Sequence, residues 1–317
     1  SEMCIRDSII FEKIGESFSL TLYSGSTNQT KDIFKKQAEL QIRIHALEKG
    51  MSIGHVRVGF GKEKAFSIIE DLEDLLKKGG AKPFVVESVS VLQKYIEFNG
   101  NMGADMVDVG TALNRLCSLY NIKINDVGGI YNLNLKDISS KIQCSFDSFS
   151  QSRFSIRDFG DSPLEVEKVC AALKLCERTP SACNRQSWRV HVYTENNLVA
   201  KMFELQGGSK GFNKQMQCAI LVCGDLRNYG FYEQNLPFVD GGLYAMNLLY
   251  SLHYYGLATI PLTMGHKWRI TKKIKQEMRI PSYEVPVLLI GVGTFKDDYK
   301  VAVSHRYMYK DYVKFNQ

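Results

Sequence analysis

The stretch from Arg153 to Trp188 restricts what this chain can become more than any other part of it. It opens with Arg153-Phe154-Ser155-Ile156-Arg157, two guanidinium groups and a hydroxyl on alternate residues. In an extended segment such spacing puts all three on one face. A helix follows: Ser162 suits an N-cap, Pro163 the first helical position, and Glu165 would complete a capping box. Leu164, Val169, Ala172, Leu173 and Cys176 recur at helical spacing as its buried face. Next comes Pro180-Ser181-Ala182-Cys183-Asn184-Arg185-Gln186-Ser187, a loop rich in hydrogen-bonding groups, and then the strand-like alternation from Trp188 to Tyr193.

The residues before this stretch read as mostly helical. Ile33, Leu40, Ile44 and Leu47 mark an amphipathic helix over 31–49, stopped by Gly50. Ala65, Ile68, Ile69, Leu72, Leu75 and Leu76 mark another over 61–78, closed by two lysines and Gly79-Gly80. Two more are expected over 83–98 and 108–120, and the polar segment 121–147 reads as a linker. Gly59-Phe60-Gly61-Lys62 lacks the spacing of a phosphate loop and reads as a turn. Ser1 to Ser8 is similar to a translated adapter scar and is set aside from fold reasoning.

Beyond Trp188, a helix near 196–205 and a glycine-rich loop at 207–211 precede Cys218 to Cys223, a strand apolar on both faces. An aromatic-rich, mobile segment over 225–237 then leads into a long apolar helix over 240–256. A strand over 256–265, a basic helix over 267–279 and a buried strand over 285–295 complete the pattern. The domain boundaries expected are 1–8, 9–147 and 148–317.

Composition narrows the function classes. A net charge of +6 over 317 residues is mild, and the lysines and arginines of 267–279 read as a solvated face, so no nucleic-acid partner is expected. No apolar run approaches the roughly 20 residues of a membrane span. The eight cysteines form no C-x-x-C pair and several lie in apolar segments, the pattern of free thiols in a cytoplasmic protein. None of the six histidines pairs with a cysteine at ligand spacing, so no metal site is expected.

Together, the R-x-S-x-R arm and the P-S-x-x-N-x-Q-x-W loop resemble the FMN-dependent nitroreductase family, where the two occur in this order. Residues 44–62 are in addition similar to a segment that precedes the nitroreductase domain in members encoded with polysaccharide-biosynthesis genes. The resemblance implies an α+β fold, a central mixed β-sheet flanked by helices, preceded here by a helical extension. It implies FMN as cofactor, NAD(P)H as electron donor and a homodimer with flavin at the interface, the helix from Asp240 supplying dimer surface and the aromatic segment 229–238 a substrate lid. By the same resemblance Arg153 and Ser155 would bind the ribityl-phosphate side, with Arg306 closing on the phosphate. Arg157 would stand near the flavin N1–C2 carbonyl edge, where fixed positive charge stabilises the reduced anionic ring. Ser181, Asn184 and Gln186 would line the flavin, although Gln186 could equally tie the loop to its strand. Thr263 would hydrogen-bond N5, which with Arg157 makes it the expected catalytic pair; it could also be a plain strand end. Trp188 reads as core and Asn247 as a structural amide. The expected activity is hydride transfer from NAD(P)H through flavin N5 to an organic acceptor, a nitroaromatic, a quinone or a related compound. The alternative is a non-catalytic FMN-binding sensor or assembly protein.

Overall fold

The computed structural model describes residues 14–15, 17–19, 21–23, 32–51, 56–80, 82–125, 128–130, 145–209, 212–230, 233–297 and 308–316. Ser1 to Ser8, most of the expected linker, Phe231 and Tyr232, and the tail carrying Arg306 lie outside the described residues.

The apolar stripes of the first half pack against one another. Helices α1 (Ile33–Met51), α2 (Lys62–Lys77), α3 (Lys82–Asn101) and α4 (Val107–Tyr120) enclose one core. Ala65, Ile68, Ile69, Leu72 and Leu75, the stripe legible in the sequence, are the buried residues of α2. Gly61 stands at the N-cap of α2 with φ 68°, a left-handed conformation that favours glycine. The glycine turn thus starts a helix.

After α5 (Phe146–Gln151) and α6 (Val166–Leu175), the second half builds a four-stranded sheet. Its strands are β1 (Trp188–Tyr193), β2 (Cys218–Asp225), β3 (Ala258–Thr263) and β4 (Glu284–Gly293), in the order β1-β2-β4-β3. The α+β class is as expected, but all three pairings among the described residues are antiparallel, where a mixed sheet was anticipated. Every residue of β2 is buried, because helices cover both faces of the sheet. One face packs on α6 and the long helix α8 (Leu236–Tyr254), and the other on α7 (Asn196–Gln206) and α9 (Trp268–Glu277). A Cβ at Gly241 would come within 2.7 Å of Val287, so this position lets α8 approach β4. The short helix α10 (Tyr309–Tyr312) ends the described chain. Among the described residues no helix is long and apolar enough to cross a membrane.

The helix expected to start after Ser162 begins later, at Val166, and its N-cap residue Glu165 makes no side-chain cap bond. Tertiary contacts claim Ser162 instead: its carbonyl accepts from Gln217 Nε2 and Thr294 Oγ1. The local capping box loses to long-range hydrogen bonds.

Candidate functional site

The arm is pinned to the sheet through its backbone. The Ile156 N–H donates to the Thr259 carbonyl at 2.9 Å, and the Gly160 N–H to Thr294 at 2.8 Å. Ile156 and Phe159 sink into the core. The alternate residues Arg153 and Ser155 are half-buried, and Arg157 is exposed. Among the described residues, Arg153 Nη1 is buried and has no hydrogen-bond partner. His253, at the C-terminal end of α8, lies beside it: burial and then the Arg153 charge push the His253 imidazole below its ordinary pKa. A buried guanidinium nitrogen with no acceptor is costly to leave so, and a phosphate oxygen would satisfy it.

The loop is held at the other end of α8. Asp240, one turn into that helix and 1% exposed, accepts from the Ala182 N–H at 2.9 Å through Oδ1. Its Oδ2 accepts from the Tyr229 hydroxyl at 2.8 Å and from Ser187 Oγ at 3.2 Å, and Ser187 and Tyr229 share a short hydrogen bond. Tyr229, assigned to a lid on its aromatic neighbourhood, is therefore a core residue with no exposure. Arg185, whose side chain has no exposure, makes a two-pronged ion pair with Glu233 at 2.7 and 2.9 Å. It also donates to the Asn228 carbonyl at 2.7 Å. Burial alone would raise the Glu233 carboxyl, but the Arg185 and Gly230 hydrogen bonds hold it below its ordinary range.

These clamps keep the loop in a strained shape. Cys183, Asn184 and Gln186 have φ of 51°, 53° and 49°. Three non-glycine residues in the left-handed region within four positions persist only where surroundings over-determine them, and such strain clusters at ligand sites. Ser181 Oγ accepts the Gln186 backbone N–H at 2.9 Å, a bond that closes the loop on itself and leaves the Gln186 side chain exposed. Trp188 is half-buried and packs against the core, its ring tilted 31° to that of Tyr244 at 5.0 Å, and Asn247 donates to Thr179 Oγ1.

Thr263 is exposed at the end of β3, its hydroxyl accepting from the Gly265 N–H at 3.1 Å. Gln206 donates to its carbonyl. Ser209 Oγ and His266 Nε2, on the segments beside it, are also buried without partners among the described residues. Sequence reasoning passed over them, as it passed over Asp240 and Arg185. Asp240 did leave a signal, being the sole acidic residue of an otherwise apolar helix.

Among the described residues the two motif halves are anchored at opposite ends of α8. Ser152, next to Arg153, bonds His253 at 2.7 Å, whereas the loop bonds Asp240. Along a helix rising 1.5 Å per residue those anchors stand roughly 20 Å apart. The helical half also reaches the loop: α1 packs on the turns at 182–184 and 226–228. There the Arg227 guanidinium lies between the Phe34 ring at 3.8 Å and the Tyr283 ring at 3.6 Å.

Residues 151–210, which hold both motifs, match the model of the nitroreductase family. An Archaeoglobus fulgidus protein provisionally named an NADH dehydrogenase/NAD(P)H nitroreductase is 25% identical over 149 residues, which is 46% of this chain and 83% of that protein. Residues 151–210 thus form a segment similar to the nitroreductase family, behind a helical N-terminal region. Solved structures similar to the chain include a Parabacteroides distasonis protein of the same provisional name, with 22% identity and a TM-score of 0.48 over 55% of this chain and 99% of that one. Another is an FMN-dependent nitroreductase from Clostridium difficile, with 22% identity and a TM-score of 0.46 over 53% of this chain and 98% of that one.

Proposed function

We propose that the protein is an FMN-dependent oxidoreductase that takes hydride from NAD(P)H and reduces an organic acceptor such as a quinone or nitroarene. The observation that carries this reading is the buried Nη1 of Arg153 on the arm, without a partner among the described residues. Bound FMN would supply a ring that receives a hydride at N5 and gives it up again. Arg153 and Ser155 would hold the phosphate side, with Arg306 closing over it, while Arg157 offers positive charge to the ring edge. Ser181, Asn184 and Gln186 would fix the ring and polyol, and Thr263 would offer a donor at N5.

The working unit in this proposal is a homodimer. One chain holds arm and loop at opposite ends of α8, so the arm of one protomer would share a flavin with the loop of its partner. Phe238, Val239, Leu243 and Met246 on α8 are 39–51% exposed and offer apolar surface for that pairing. The test is NAD(P)H oxidation with a quinone, with and without added FMN. Turnover should require FMN and fall away in Arg153→Met. Mixing Arg153→Met chains with Asn184→Ala chains, then unfolding and refolding them together, should restore part of it, because some mixed dimers keep one intact site.

A second reading, a flavin-binding protein without turnover, is favoured by the packing of α1 on the 182–184 turn. Stoichiometric FMN binding with no NAD(P)H oxidation would select it.

A further inference from the structure

Away from the arm and loop, strands β1, β2 and β4 gather His191, Cys223 and Glu284, whose donor atoms all lie within 4.8 Å of one another. His191 Nε2 stands 2.6 Å from Glu284 Oε2, across 93 positions of sequence. The pairing of β2 with β4 shifts register between Val222 and Cys223. Such a bulge re-aims the side chains that follow it. Cys223 packs with Ala219 and Leu221 on the face covered by α7 and α9.

An imidazole, a thiol and a carboxylate form the mixed nitrogen, sulfur and oxygen set that zinc-class cations take. Ligand bonds of roughly 2.0–2.3 Å would set the donors about 3.5 Å apart, within rotamer adjustment of where they stand. The Cys223 and Glu284 side chains are buried, whereas that of His191 is 25% exposed and leaves an approach from solvent. The sequence argument against a metal looked for close spacing along the chain; the sheet supplies the proximity instead. Lys275 is the competing charge: its ammonium interacts with both Cys223 and Glu284, and Ser282 anchors it through a carbonyl at 2.7 Å.

We propose that His191, Cys223 and Glu284 form a binding site for a zinc-class divalent cation that pins β1 and β4 across β2. Occupying it displaces the proton between His191 Nε2 and Glu284, which passes by way of solvent to Nδ1 of the neutral imidazole, and releases the thiol proton of Cys223 to solvent as the metal–sulfur bond forms. No oxidation takes place, and the site stands independently of the flavin proposal.

The test is cobalt(II) titration of the full chain after chelator treatment, read by absorption. A saturable near-ultraviolet thiolate-to-cobalt band, erased by added zinc, is expected. Cys223→Ser should lose the band, whereas Cys170→Ser, at an exposed thiol, should keep it. Lys275→Met should tighten cobalt binding by removing the repelling charge. A wild-type chain with no band, or a band that survives in Cys223→Ser, overturns the proposal. Should Cys223→Ser fail to fold, His191→Ala and Glu284→Gln decide it: weakened cobalt binding supports the site, and unchanged affinity in both overturns it.

Discussion

The two halves of the molecule solve the burial problem differently. The helical half buries one apolar core, and the polar side chains buried with it find partners: Ser88 bonds the carbonyl one turn back, Ser90 accepts the Gly128 N–H, and Asn99 accepts the Gly59 N–H while donating to the Tyr95 carbonyl. The sheet half holds all four buried side-chain atoms without partners found among the described residues, on Arg153, Ser209, Gln217 and His266. It also holds the run of left-handed non-glycine residues at 183–186. Unmet hydrogen bonds and backbone strain are costly, so under the proposed function the contrast would leave stability to the first half and binding to the second.

The largest effect expected on stability comes from Leu72→Ala, which opens a cavity in the helical core where Leu72 has no exposure. It should cost about 2–5 kcal/mol in denaturant unfolding while leaving FMN affinity unchanged well below the transition. A matching loss of affinity would mean that the halves are not separable in this way. Arg185→Ala comes next, at about 2–3 kcal/mol, because Glu233 and the Asn228 carbonyl lose their partner. Since Glu233 keeps 32% side-chain exposure, the cost should stay below that of a fully buried pair. This variant should lose FMN binding as well, measured by fluorescence titration, because the strained loop relaxes. Arg153→Met should shift stability by less than about 1 kcal/mol, the guanidinium having no bond to lose at Nη1.

The smallest effect is a pH dependence in the helical half. Burial first, and then the neighbouring Glu48 carboxylate, raise the pKa of Glu87 above its ordinary value. A raised carboxyl binds its proton more tightly in the folded chain. Stability is therefore lost as pH rises through the ordinary carboxylate range toward the folded value. Glu87→Gln should stabilise the fold at pH 7, by less than about 1 kcal/mol after solvent screening and seen as a raised Tm, and leave the Tm unchanged near pH 4. Equal Tm gains at both pH values would assign the effect to packing.

What the sequence disclosed follows the same division. One-sided burial writes its period into the chain, so the Ala65-to-Leu75 stripe and the doubly buried Cys218–Cys223 strand were both legible. The chemistry of the arm and loop was legible from residue types at short spacing. Pairings across long separations were not: Ala182 with Asp240, Arg185 with Glu233 and His191 with Glu284 depend on strand order, which no local pattern states. The same blindness put a helix cap at Ser162, where distant donors take the carbonyl, and a lid at Tyr229, where Asp240 draws the phenol inward.

An equilibrium titration of FMN with the purified wild-type chain and with Arg153→Met tests the account most directly, by flavin fluorescence with Tm recorded for both proteins. The account predicts saturable binding at one flavin per chain for the wild type, and loss of that binding in Arg153→Met at an unchanged Tm. Equal FMN affinity in the two proteins, or no binding to the wild type, would contradict it.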